Sequence, residues 1–204
     1  MIHPIEAESY RILETRVDLS HLAPGPRAVV ERVIHASADP EFATTMVLDD
    51  AAVDAGVRAL RVAAPVVCDV DMVRHGISGA ATDCFLADGA DDRDEADQPV
   101  PTRTARGMRA AAAAHPTGAI VVVGCAPTAL FEAVDLAVRG IFEPALVVGL
   151  PVGFVGAAES KARLRASRLP AITNVGEKGG SAVAAAAVNA LVRLAAHTPE
   201  RTTT

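Results

Sequence analysis

Proton transfer near neutral pH calls for an imidazole, and the histidine best placed for it is His35. It sits in the run Arg32-Val33-Ile34-His35-Ala36-Ser37-Ala38-Asp39. Imidazole titrates close to neutrality, so it can serve as general acid or base. Taken alone, a histidine at a helix end beside Asp39 is more often a structural cap or a surface residue. The other histidines, His3, His21, His75, His115 and His197, show no HxxxH or similar ligand spacing, so a protein-held metal is not indicated. Asp71 and His75 fall at i and i+4, which suits a surface pair as well as an approach to a ligand. Among nineteen basic residues only Lys161 and Lys178 are lysines, and both fall within glycine-rich stretches. A compact ammonium there is chemically distinct from a planar guanidinium. The plainer readings are a salt bridge for Lys161 and a solvated loop charge for Lys178. The turns at 124–128 and 149–156 could aim backbone N–H groups at anions, although neither carries the G-x-G-x-x-G pattern of a dinucleotide site. Cys125 opens a helix, where thiol pKa values tend to fall, but the sequence places no base beside it.

These side chains have to be positioned by elements that the apolar pattern outlines. Ile5, Ile12 and Leu13 predict a short amphipathic helix before the Pro24–Pro26 break. Pro26 suits the first turn of a second helix, in which Val29, Val30, Val33 and Ile34 form a stripe and His35 lies near the end. Residues 50–63 read as a helix, and 65–68 as a short buried strand followed at once by Asp69 and Asp71. The run 119–123 is apolar and β-branched, and Gly124-Cys125-Ala126-Pro127 then opens a helix through Val138. The unit repeats as a strand at 145–148, a turn at 149–156 and a helix carrying Glu159, Lys161 and Arg163. An extended piece at 170–173, a turn at 176–180 and an Ala-rich helix capped by Ser181 and ending near His197 complete the pattern. Strand, glycine turn and helix in repetition imply parallel strands with their turns at one sheet edge, which is where ligands bind in such folds. The expected fold is α/β, in three α/β/α layers around a central, mostly parallel sheet, with residues 1–204 forming a single domain. Only 3% of residues are aromatic and Trp is absent, so Ala, Val, Leu and Ile must fill the core. Residues 87–101, crowded with Asp88, Asp91, Asp92, Asp94, Glu95 and Asp97, are expected to form a mobile, solvated loop, and 198–204 a short tail.

Composition also excludes whole classes of function. A formal net charge of -6 and the lack of a basic tract argue against nucleic-acid binding. Three cysteines without CxxC spacing argue against a disulfide scaffold and favour a reducing cytoplasm. No window is long and apolar enough for a membrane span, and the N-terminus lacks a signal peptide's basic start and apolar run.

Four blocks in order carry a more specific signal: the Arg32–Asp39 run; Gly124-Cys125-Ala126-Pro127-Thr128-Ala129-Leu130-Phe131; Pro151-Val152-Gly153-Phe154-Val155-Gly156-Ala157-Ala158-Glu159-Ser160-Lys161; and Gly179-Gly180-Ser181 with Asn189-Ala190-Leu191. In order and spacing they resemble the motifs of the precorrin-8X and cobalt-precorrin-8 methylmutases. The resemblance implies an isomerase of cobalamin biosynthesis that shifts a methyl from ring carbon 11 to ring carbon 12 of a corrin precursor. It also implies that no cofactor is used, that the protein is a homodimer with substrate near the subunit interface, and that His35 is the general acid. The substrate is a corrinoid, a flat macrocycle rimmed with carboxylates. On the same basis Thr102-Arg103-Thr104 resembles a Thr-Arg-Ser segment of the family, making Arg103 a candidate carboxylate clamp with Thr102 beside it. Lys161 and Lys178 are expected to bind acetate and propionate groups, while Gly124, Thr128, Gly153 and Ser181 shape the wall. Product hand-over to the next enzyme of the pathway is a further expectation. Two departures bear on binding: Cys125 replaces an Asn common in the family, and Glu177 replaces an Arg.

Overall fold

The computed structural model describes residues 3–86 and 101–197, so the acidic stretch at 87–100 and the tail at 198–204 lie outside the described residues. The chain begins with α1 (Pro4–Arg16), α2 (Pro24–Ser37) and α3 (Phe42–Thr45), followed by β1 (Met46–Val47) and α4 (Asp50–Arg61). There follow β2 (Val66–Cys68), α5 (Asp71–Gly76), β3 (Thr82–Cys84), α6 (Arg103–Ala114), β4 (Ile120–Val123), α7 (Pro127–Val138), β5 (Leu146–Gly149), α8 (Ala157–Ala166), β6 (Ala171–Asn174) and α9 (Ser181–His197). The elements start where local chemistry allows. Asp49 caps α4 by accepting from the Ala52 N–H (2.8 Å), Thr102 caps α6 through the Ala105 N–H (3.2 Å), and Pro127 occupies the first turn of α7.

The strands form one six-stranded sheet in the order β1-β6-β5-β4-β2-β3. Strands β2 to β6 are all parallel, while β1 runs antiparallel to β6 at the edge. Alternate strand residues feed two separate cores. Val66, Cys68, Ile120, Val122, Leu146, Val148 and Ile172 pack with α1, α2, α4, α5 and α9 on one face. Val67, Val121, Val123 and Val147 pack with α6, α7 and α8 on the other. Both faces of the central strands are therefore covered, as their unbroken apolar runs require. The residues of α9 from Ala184 to Ala187 are buried, and these small side chains let α2, α4 and α5 approach it closely.

β1 and β3 were not expected from the apolar pattern. Both are short edge strands whose residues are not buried, and each is strand because it pairs with a buried neighbour, β6 or β2. Ser181, read as a helix cap, is the first residue of α9 itself.

The parallel strands bring the loops after β2, β4, β5 and β6 to one edge, where the last two interlock. The Gly180 N–H donates to the Leu150 carbonyl (2.8 Å), and the Gly153 N–H donates to the Glu177 carbonyl (3.1 Å). A Cβ on Gly179 would press into the carbonyl oxygens of Leu150 and Pro151, so only glycine fits. Gly179→Ala is expected to destabilise the protein by about 1–3 kcal/mol, read as a lower midpoint in chemical denaturation.

Candidate functional site

The centre of this edge lies between β2 and β4. The helix that follows β2 (α5) packs on one face of the sheet and the helix that follows β4 (α7) on the other, which opens a crevice at the strand ends. Asp69, the first residue after β2, fills the bottom of that crevice and is only 3% exposed. Its carboxylate accepts three backbone hydrogen bonds, from the N–H groups of Gly124 (3.1 Å), Cys125 (2.9 Å) and Ala126 (2.8 Å). Burial pushes the Asp69 pKa up, and the three amides oppose that shift by favouring the charged form. The turn thus does hold a carboxylate, as its glycine and amides suggested, but the carboxylate belongs to the chain. Gly124 has a steric role as well. A Cβ there would lie 2.7 Å from Val73 Cγ2 and 2.9 Å from Ser181 Cα, so the glycine allows the start of α9 to close on the crevice. Gly124 and Ser181 are thereby brought together.

Thr102 and Thr128 also meet, across the starts of α6 and α7. Their hydroxyls lie 2.7 Å apart, and the Thr104 hydroxyl is 3.1 Å from each, so exposed Thr102 and Thr128 and half-buried Thr104 close a small ring of hydroxyls. Arg103, beside them, is exposed and has no ion-pair or hydrogen-bond partner among the described residues. The Cys125 thiol at the next turn is exposed, and burial together with the Asp69 charge pushes its pKa up rather than down. That is the opposite of what a nucleophile needs.

The two lysines have different roles in the interlocked turns. Lys161 is fully buried on α8, where its Nζ donates to Asn174 Oδ1 (3.0 Å) and to the Lys178 carbonyl (2.6 Å). Burial first, and then Arg165, push its pKa down to about 8, with Glu177 opposing. In this conformation its ammonium ties the end of β6 to the turn at 176–180. The ammonium of Lys178 points outward and bridges Asp39 Oδ2 and Glu41 Oε2, both at 2.7 Å. That bridge joins the turn to the segment immediately after α2, which carries His35. Phe154 (90% exposed) and Val155 (89% exposed) stand out from the turn that contains Gly153, forming an apolar surface at the same edge.

His35 lies in the last turn of α2 and is half-buried. Its Nδ1 is 2.8 Å from the Ser9 hydroxyl, and its ring stacks on Tyr10 with centroids 5.1 Å apart and planes 18° from parallel. With Nδ1 engaged by α1, Nε2 has no hydrogen-bond partner among the described residues. Burial foremost, then the charge of Arg32, lower the His35 pKa; Glu6 works against them and Arg193 adds to them. No hydrogen bond or ion pair links His35 directly to the threonines, lysines or glycines named above among the described residues; the link to Lys178 runs through Asp39 and Glu41. His75 turns Nδ1 to the Asp71 carbonyl (2.8 Å) while the Asp71 carboxylate pairs with Arg74 (2.8 Å), so the pair is local to α5. No cluster of three or more metal-ligating side chains occurs among the described residues.

Comparison with known proteins gives a consistent result. A sequence model of the family described as Precorrin-8X methylmutase matches residues 4–194. The cobalt-precorrin-8 methylmutase of Methanothermobacter thermautotrophicus is 43% identical over 177 residues, spanning 87% of this chain and 84% of that protein. The precorrin-8X methylmutase of Pseudomonas aeruginosa is 36% identical, covering 92% of this chain and 93% of its own. A crystal structure of precorrin-8X methyl mutase from Thermus thermophilus superimposes with a TM-score of 0.81 at 36% identity, over 95% of this chain and 98% of that one.

The triple bond to Asp69 yields a direct test. In Asp69→Asn one acceptor oxygen is replaced by an NH2 group that faces donors. That substitution is expected to lower stability by about 2–3 kcal/mol, measured by denaturant unfolding.

Proposed function

The chain belongs to the precorrin-8X methylmutase family, and from that premise we propose that His35 is the acid of its reaction. The reaction is an isomerisation in cobalamin biosynthesis: a methyl group moves from ring carbon 11 to ring carbon 12 of precorrin-8X or its cobalt-containing form, giving hydrogenobyrinic or cobyrinic acid. Substrate and product are isomers, so a proton lent to the macrocycle must be returned. Protonation draws π electrons toward the site of addition and lowers the barrier to migration of the methyl. The observation that supports His35 is its setting. Ser9 holds Nδ1, Tyr10 backs the ring, and the segment that follows is tied to the Lys178 turn, leaving Nε2 as the donor. A ring fixed in this way loses little freedom when it engages a substrate.

The polycarboxylate rim of the macrocycle needs donors spread around an apolar floor. Arg103, unpaired among the described residues, and the hydroxyls of Thr102 and Thr128 supply one set, and Lys178, exchanging Asp39 and Glu41 for a substrate carboxylate, supplies another. Lys161 acts from within, by fixing the backbone that carries Lys178, unless the turn opens to expose it. The turns at Gly124, Gly153 and Ser181 form the floor between them. The protein works as one catalytic unit in the cytoplasm. Two copies pair through the apolar surface around Phe154 and Val155, with substrate near the interface, and the product is handed directly to the next enzyme. The extreme exposure of those two side chains supports the pairing.

Incubation with precorrin-8X, with and without cobalt, should change the absorption spectrum as the rearranged chromophore forms. His35→Ala is expected to abolish that change while corrinoid binding persists; unchanged turnover would overturn the assignment. An acid is active below its midpoint and lost above it. The His35 pKa lies below its ordinary 6.5, so the basic limb of kcat/KM should also have its midpoint below that value. The carboxylates of bound substrate favour the imidazolium, so the corresponding limb of kcat should lie at higher pH.

A further inference from the structure

Two positive charges flank the imidazole. Arg32 lies one turn before His35 on α2, and Arg193 reaches in from α9. Left alone, both would repel the proton that an acid must carry. Both guanidiniums converge instead on a single atom, Glu6 Oε1, at 3.0 Å from Arg32 and 2.7 Å from Arg193. Glu6 lies one turn before Ser9 on α1, so the ion-pair contact and the Ser9–His35 bond are consecutive contacts between α1 and α2. The Glu6 side chain is only 20% exposed and that of Arg32 21%, so solvent screens that pair weakly, whereas Arg193 is 48% exposed and is screened more. Arg32 Nε is buried with no hydrogen-bond partner, which leaves Glu6 as the anion that answers its charge.

We propose that Glu6 is a positioning residue for the reaction: by gathering Arg32 and Arg193 on one carboxylate oxygen it cancels much of the positive potential at His35 and keeps that ring able to hold a transferable proton. The proposal rests on His35 being the acid. The other groups around α2 do not take this role: Glu31, one turn before His35, is held by Arg27 (2.6 Å). Asp39 and Glu41, past its end, are held by Lys178, and α3 has no ionisable side chain. Asp50 of α4 lies near Gly25, at the far end of α2. Tyr10 faces the ring as a stacking partner, and His197 lies against the Arg193 carbonyl (2.7 Å).

The trio holds one net positive charge: two guanidiniums and one carboxylate. Glu6→Gln raises it to two, and Arg193→Gln lowers it to zero. The His35 ring can be followed by NMR titration, its signal assigned by its loss in His35→Ala, beside the pH dependence of turnover. Glu6→Gln should move the His35 midpoint to lower pH, reduce turnover at pH 7 by about tenfold, and regain activity as the pH is lowered. Arg193→Gln should move the midpoint the opposite way, and the double variant should return it toward that of the unaltered protein. A structural role would loosen α1 in both single variants and could not shift the midpoint in opposite directions. Midpoints that stay fixed, or that move together, overturn the proposal. Midpoints that shift as expected while turnover does not follow overturn the assignment of His35, and with it the catalytic part of this proposal, but leave the electrostatic coupling established.

Discussion

The whole binding edge depends on how Asp69 is held. A carboxylate this deeply buried would be costly if unpaired, and three consecutive amides make it tolerable. The same bonds fix the turn at 124–126 against the end of β2 and so set where α7 begins. Gly124 then admits the start of α9, and the interlocked turns at 150–153 and 177–180 complete the edge. The crevice is therefore built on backbone groups at each of these junctions, held by one buried carboxylate at the first and by other backbone groups at the rest.

On the face that carries His35, charge is arranged against the overall sign of the protein. A chain of net charge -6 offers no long-range attraction to a polycarboxylate, so the attraction has to be local. The exposed cations at this edge are Lys178, tied to the segment after α2, and Arg103, at the start of α6 on the opposite face of the sheet. Nearer the imidazole the guanidiniums of Arg32 and Arg193 meet the Glu6 carboxylate. Lys161, buried and bonded to a carbonyl and an amide oxygen, shows the third use of a cation here, as a fastener.

Much of this was legible in the sequence. The strands β2, β4 and β5 are apolar runs ended by Asp or Gly, and α7, α8 and α9 start just beyond glycine turns, so the parallel sheet and the turns at its edge followed from the pattern. What escaped was whatever depends on a distant partner. Thr82–Cys84 is a strand because β2 offers it a register, and nothing in Thr-Asp-Cys signals that. The partners of Glu6 lie 26 and 187 residues away. Asp69 was visible as an acid directly after a buried strand, but its function lies in amides 55 to 57 residues later. The inward turn of Lys161 had a fainter sign: Ala157, Ser160, Lys161 and Leu164 are the buried face of α8, a helical spacing hidden because two of its four members are polar.

The threonine ring at the starts of α6 and α7 has a property of its own. Three hydroxyls closed on one another can pass their hydrogens clockwise or anticlockwise, and reversing the sense leaves every oxygen in place. Such a ring has no built-in polarity. All three hydrogens are spent inside the closed ring, so turning one outward to an acceptor opens one link of the ring without moving a backbone atom.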